Sequence, residues 1–172
     1  GNSDYVRVLE DGVAVNDAGG AFDFSGLTIE NIDRIELVRG PVSVLYGSDA
    51  VTGVIQLFTR DGHGPVHAQG MAGAGSYGTA RGELGVAGGN AHAGFTFAGA
   101  RDATEGILAF NNRFQNDVLS ATLRAAPDAR TDLRFAGRWS SATYHYPTDY
   151  TGEVVDRNAE QTRDREEWEA AR

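Results

Sequence analysis

The sequence predicts two unlike β-rich regions in one chain of 172 residues: a small mixed α+β unit over residues 1–62, and an antiparallel sheet of amphipathic strands over residues 63–172. Three observations carry this. The cluster Asp61-Gly62-His63-Gly64-Pro65 ends regular structure on both sides. Short apolar runs of β-forming residues stand before it. After it come segments of about ten residues in which apolar and polar side chains alternate with period two, separated by turn residues.

In chain order, residues 5–9 and 13–15 flank an Asp11-Gly12 turn and read as a hairpin. Residues 16–26 read as a loop. Residues 29–32 open a short helical turn into a strand over 34–39, and residues 51–60 form a further strand. A unit this small buries too little surface to be secure alone. In the second region, residues 79–88 set Leu84 and Val86 against Arg81 and Glu83, and residues 91–100 set Phe95 and Phe97 opposite Thr96. Residues 117–125 set Leu119, Ala121 and Leu123 against Ser120, Thr122 and Arg124. Residues 131–141 set Leu133, Phe135 and Trp139 against Arg134, Arg138 and Ser140. The connections alternate too, with short turns at 90–91 and 127–130 and long polar loops at 102–114 and 143–166. Outer-membrane barrels show both features. A sheet with one face on a soluble core gives the same side-chain alternation, so the pattern leaves both readings open.

Composition narrows the function. The chain has no cysteine, which excludes disulfide scaffolds, Cys-containing zinc sites and thiol catalysis. All fifteen basic residues are arginine. The net charge of -9 divides as ten acids against four arginines in 1–62 and fourteen against eleven in 63–172. With no cluster of positive charge, nucleic acid is not expected as a partner. No window approaches the ~20 apolar residues of a spanning helix, a test to which a β-barrel is blind. The chain opens on Gly1 and its single methionine is Met71, so it reads as a piece of a longer protein.

Motifs for catalysis fail on context. Gly73-Ala74-Gly75-Ser76-Tyr77-Gly78 fits G-x-G-x-x-G, but the glycine-rich alternating stretch after it cannot supply the helix the fingerprint needs. Ala74 breaks G-x-S-x-G. His63 and His67 have i, i+4 spacing with Gly64 and Pro65 between them, and His92 and His145 are isolated. No enzyme is expected. The acid-rich run of Asp149, Glu153, Asp156, Glu160, Asp164, Glu166, Glu167 and Glu169, with Arg157, Arg163 and Arg165, reads as a solvated loop. Its alternative reading is a Ca²⁺ site, since oxygen-rich loops can supply the six to eight ligands calcium takes.

The run from Ile32-Asp33-Arg34-Ile35-Glu36 through Arg39-Gly40-Pro41 and Leu45-Tyr46-Gly47-Ser48 to Gly53-Val54-Ile55 closely resembles the end of the plug domain in TonB-dependent outer-membrane receptors. Leu9-Glu10-Asp11-Gly12-Val13 is similar to an upstream hairpin of that family, with Glu10 where the family has an apolar residue. The resemblance implies a small α+β plug segment over 1–62 followed by about six antiparallel transmembrane β-barrel strands over 63–172, an incomplete barrel where plugged transporters have ~22 strands. It implies a receptor for energised uptake of a scarce nutrient in a Gram-negative outer membrane. Cobalamin-like receptors resemble it most, with ferric siderophore receptors next. The implied partners are a nutrient chelate, outer-membrane lipid, and a TonB-type inner-membrane complex whose contact segment lies outside this chain. It assigns Asn2, Gly19, Gly20 and Ala21 to ligand-facing apical loops, Arg39 to a contact with barrel glutamates, and Gly40, Pro41, Tyr46, Gly47 and Gly53 to the plug motif. Glycines at 40, 47 and 53 would allow positive φ or close backbone packing. No cofactor is certain. Calcium-binding loops of cobalamin receptors loosely resemble residues 146–156, which singles out Asp149 and Asp156. The competing reading is a surface-exposed structural or adhesive β-protein without transport.

Overall fold

A computed structural model describes residues 5–17, 20–22, 24, 27–47, 50–108, 110–149, 151–154 and 160–171, the last span and residues 43 and 45 as backbone only. The chain divides into two compact units, Gly1–Arg60 and Asp61–Arg172. The division falls two residues before the boundary read from the sequence, because Asp61 and Gly62 are bound to the second unit.

The first unit is a four-stranded sheet in the order β2-β1-β4-β3. Strand β1 (Val6–Glu10) turns through Asp11 (φ 48°) and Gly12 (φ 92°), the left-handed pair that an Asp-Gly hairpin favours, into β2 (Val13–Ala14). The Asp11 carboxylate accepts from Thr59 N at 3.0 Å and Thr59 Oγ1 at 2.6 Å, which ties the turn to the sheet. Ile32 N donates to Ile29 O at 3.1 Å, the expected single helical turn. Strand β3 (Ile32–Arg39) begins two residues earlier than expected and carries a bulge between Ile32 and Arg34. A four-residue helix, α1 (Ser43–Tyr46), leads to β4 (Gly53–Thr59), antiparallel to β3 and parallel to β1. Alternation splits the core between the two faces of the sheet. Val8, Val15, Phe22, Ile32 and Leu57 cluster on one face, and Leu9, Ala50 and Val54 on the other.

The second unit is an antiparallel meander, β5 (His67–Ala74), β6 (Ala80–Gly89), β7 (Ala93–Thr104), β8 (Phe114–Asp128), β9 (Thr131–His145) and β10 (Glu160–Ala171), each paired with its sequence neighbour. The sheet does not close on itself among the described residues. Register sets Val86 opposite Phe97, Phe97 opposite Ala121, Leu119 opposite Trp139 and Leu123 opposite Phe135. The apolar residues of the four expected segments therefore share one face. Two expectations are corrected. The loops expected at 102–114 and 143–166 are shorter, because β7 runs on to Thr104, β8 starts at Phe114, β9 runs on to His145 and β10 starts at Glu160. Glu160, Asp164, Glu166, Glu167 and Glu169 lie on β10, whose twelve register pairs with β9 satisfy a backbone that the acidic sequence had disguised as a loop.

Candidate functional site

In the first unit the loop after β2 is held by a side chain standing in for main chain. Val15 N donates to Val8 O at 3.0 Å, the last backbone bond of the hairpin. Beyond it, Asn16 Oδ1 accepts from Val8 N at 2.8 Å and Asn16 Nδ2 donates to Val6 O at 2.9 Å. The amide offers β1 what a further residue of β2 would have offered, so the main chain can leave the sheet without stranding those groups. Nδ2 also donates to Gly20 O at 2.8 Å. The loop then closes on itself through Gly20 N to Asp17 O and Asp17 N to Ala21 O, with Gly20 at φ 92° where a side chain would be strained. Buried Phe22 meets Phe24 edge-on at 4.7 Å and secures the return. Of the expected ligand-facing residues, Gly20 and Ala21 sit in this turn, while Asn2 and Gly19 lie outside the described residues. Asn16 was not singled out from the sequence. Its signal was an Asn at a strand exit ahead of a Gly-Gly pair.

The run from Arg39 to Gly53 caps the other face. Gly40 N donates to Thr52 O and Val42 N to Ala50 O, which extends the β3–β4 pairing before α1 closes it. Gly40 and Gly47 have φ of 105° and 91°, and a Cβ on Gly53 would lie 2.6 Å from Val38 O. These glycines therefore answer two separate needs, left-handed backbone and close strand approach. Pro41 is exposed. Tyr46, Val38 and Val42 pack on Leu9, Ala50 and Val54. Arg39 ends β3 exposed, and no carboxylate among the described residues pairs with it.

The second unit reverses the usual distribution of side chains. Phe97 and Leu119 are 48% and 60% exposed, whereas Thr96, Asn116 and Thr122 on the opposite face are 2%, 1% and 1% exposed. Arg138 is buried on that polar face as well. Arg81 bridges Glu83 at 2.6 Å and Asp102 at 3.3 Å near its loop end, and the Phe114 and Tyr144 rings meet at a tilt of 44° with centroids 5.0 Å apart. The apolar face holds a groove of about 640 Å³ walled by Leu84, Phe97, Leu119 and Trp139 over Gly99 and Gly137. On β8 the apolar stretch lies between Asp117 and Pro127. About ten residues at ~3.4 Å rise and ~40° tilt span about 26 Å, close to the ~25 Å apolar band of a membrane barrel.

Asp149 has a local task. Its Oδ1 accepts from Thr151 N at 2.8 Å, Thr151 Oγ1 at 2.6 Å and Glu153 N at 3.0 Å, shaping a turn closed by the Thr148–Val154 bridge. The Thr151 hydroxyl, joined by these backbone N–H groups, holds the carboxyl below its ordinary range against the opposing effect of desolvation. Asp156 lies outside the described residues. Among the described residues no three His, Cys, Asp or Glu side chains gather to hold a metal, so they do not supply calcium's donor set. His67 and His92 make ordinary contacts with the Pro65 and Ala126 carbonyls.

Residues 1–54 match the family model of the TonB-dependent receptor plug domain. Over 58 residues the chain is 45% identical to the vitamin B12 transporter BtuB of Vibrio vulnificus (strain CMCP6), covering 34% of this chain and 10% of that protein. The first unit is thus similar in sequence to the plug domain of the TonB-dependent receptors. Members of this family are outer-membrane proteins of Gram-negative bacteria, and the exposed apolar face of the second unit suits that location. The fold agrees. The copper transporter OprC superposes with a TM-score of 0.70 at 19% identity, covering 84% of this chain and 24% of that one. The ferric yersiniabactin uptake receptor FyuA of Yersinia pestis gives 0.70 at 19% identity, covering 81% and 23%. The pyoverdine receptor FpvA of Pseudomonas aeruginosa PAO1 gives 0.66 at 17%, covering 87% and 24%. The chain thus spans a tenth of the curated relative and about a quarter of each solved receptor.

Proposed function

We propose that residues 1–62 are the C-terminal part of a plug and residues 63–172 the first six strands of the barrel in a receptor that imports a scarce nutrient, energised by a TonB-type inner-membrane complex. The carrying observation is the adjacency of a plug-matching segment to a sheet whose apolar face is the exposed one. A transport barrel requires that inversion, and a soluble adhesive sheet does not. The ligand is a corrinoid, supported by the stretch of 45% identity to a vitamin B12 transporter; a ferric siderophore is the second reading, supported by the structural likeness to FyuA and FpvA. Gly20 and Ala21, together with Asn2 and Gly19, are the ligand-facing residues of the plug, Asn16 holds the turn that carries Gly20 and Ala21, and Arg39 meets a barrel carboxylate supplied elsewhere in the receptor. Titrating the complete receptor with cyanocobalamin and with a ferric catecholate, together with uptake assays with and without TonB, tests the reading. Corrinoid binding and TonB-dependent uptake are expected. Binding of the ferric complex alone moves the ligand to the second reading, and uptake of neither favours the adhesive alternative.

A further inference from the structure

Three glycines of the second unit meet where strand sequences rarely place them. Gly89 and Gly94 are register partners at the β6–β7 turn, and the Gly62 carbonyl oxygen fills the space that a Cβ on either would need. A Cβ on Gly62 would in turn meet Phe95 O, and would lie 2.5 Å from Gly88 O and 2.6 Å from Phe95 N. A glycine in a sheet often marks a place where another backbone comes close; here that backbone is the segment entering the sheet. Gly62 is buried although Asp61 and His63 beside it are exposed. Gly89 N donates to Gly64 O at 2.9 Å, and Gly64 at φ 72° turns the chain toward β5. A charged latch completes the seat, with Arg134 Nε 3.0 Å from Asp61 Oδ1 and the Arg134 side chain 19% exposed. One residue earlier the attachments belong to the other unit, since Arg60 N donates to Asn31 O at 2.9 Å and Arg60 Nε to Ile32 O at 3.2 Å.

We propose that residues 61–64 are a fixed anchor, seated on the Gly89–Gly94 notch and latched by Asp61–Arg134, which stays in place while the plug rearranges, so that the part an energised pull can displace ends at Arg60. The anchor is a property of the second unit alone. Its role under a pull rests on the transport reading above. In the complete receptor, Asp61→Cys with Arg134→Cys, joined by a short bis-maleimide, should take up cyanocobalamin, or the ferric catecholate if that is what the receptor imports, within about twofold of the unjoined double variant. A joined receptor that binds ligand normally but loses uptake tenfold or more overturns the anchor, because residues 61–64 must then leave the wall. Amide exchange separates this from failure of the transport reading, since it needs no substrate. The Gly89 amide should exchange as slowly as its ladder neighbours, and Gly94→Val should release it. Gly82→Val, placed where a Cβ meets nothing within 4 Å, should leave it slow. Fast exchange at Gly89 in the unaltered receptor, or equal effects of the two valines, ends the proposal even in a receptor that transports nothing.

Discussion

Leu57, Val8 and Val54 are among the largest fully buried side chains of the first unit, whereas in the second Val118 shares that position with Asn116, Thr96 and Thr122. Both units are built on period-two strands, in which successive side chains point to opposite faces. They differ in which face is turned away from solvent. In the first unit apolar side chains gather on both faces of the sheet, as water requires. In the second the apolar face is the open one, and its cost in water is removed when an apolar medium such as lipid hydrocarbon covers it. The same alternation therefore encodes different folds according to the medium, and the burial of threonine and asparagine identifies that medium better than hydropathy does.

The comparison breaks most visibly at paired leucines. Leu57→Ala in the first unit should cost about 2–5 kcal/mol, because it opens a cavity in a closed cluster. Leu119→Ala in the second should cost less than about 1 kcal/mol in a bilayer, where lipid tails refill the space. Amide exchange across β4 reads the first, and heat-modifiable gel mobility of the complete receptor reads the second. Equal losses would mean that Leu119 packs against protein, and the lipid assignment would fall.

Charge sharpens the contrast by depth. Leu123→Arg, well inside the apolar stretch of β8, should cost roughly 2–4 kcal/mol and depress outer-membrane assembly. Leu133→Arg lies two residues into β9 from the 129–130 turn and should cost about 0–1 kcal/mol. Assembled receptor per cell measures both. A larger defect at Leu133 would place the membrane centre near the turn and invalidate the band drawn between Asp117 and Pro127.

Glycine offers a smaller test inside the first unit. Gly53→Ala drives a Cβ toward the Val38 carbonyl and should destabilise by about 1–3 kcal/mol, the usual cost of overpacking. Gly82→Ala in the second unit meets nothing and should be near neutral. Exchange protection along β3 and β4 reads the first and along β6 and β7 the second, and an unaffected Gly53→Ala would show that β3 and β4 separate readily at that point.

What the sequence revealed follows from what each signal needs. Period-two alternation is local, so the shared face of Phe97, Leu123 and Phe135 was legible without coordinates. The Asp11-Gly12 turn and the glycines at 40, 47 and 53 were legible because left-handed backbone and tight approach restrict residue choice. A sixth strand was legible from residue 167 on, but its first seven residues, 160–166, were hidden, since their acids and arginines look like loop composition and only the ladder to β9 identifies them. Asn16 was hidden because its role depends on Val6, Val8 and Gly20 converging on one amide. The Gly62 anchor was hidden for a related reason: a glycine shows that something can come close, and not what.

The smallest expected effect concerns the loop where calcium was considered. Thr151 and Glu153 hold the Asp149 carboxyl below its ordinary pKa of 3.8, so the charged form is favoured in the folded turn. A depressed folded value means the stabilisation is fully present above the unfolded pKa and is lost as pH falls through the folded one, below about 4. Protection of the Thr151 and Glu153 amides in the complete receptor should therefore be constant from pH 7 down to about 5 and decline below about 4, after correction for intrinsic exchange. Asp149→Asn keeps an acceptor oxygen without a titrating charge, so its protection should be weaker and flat with pH. Because Oδ1 already accepts three hydrogen bonds, millimolar Ca²⁺ should change neither profile. A calcium-dependent rise in protection that disappears in Asp149→Asn would show the carboxylate leaving its turn for a cation, and would restore the metal reading of this loop.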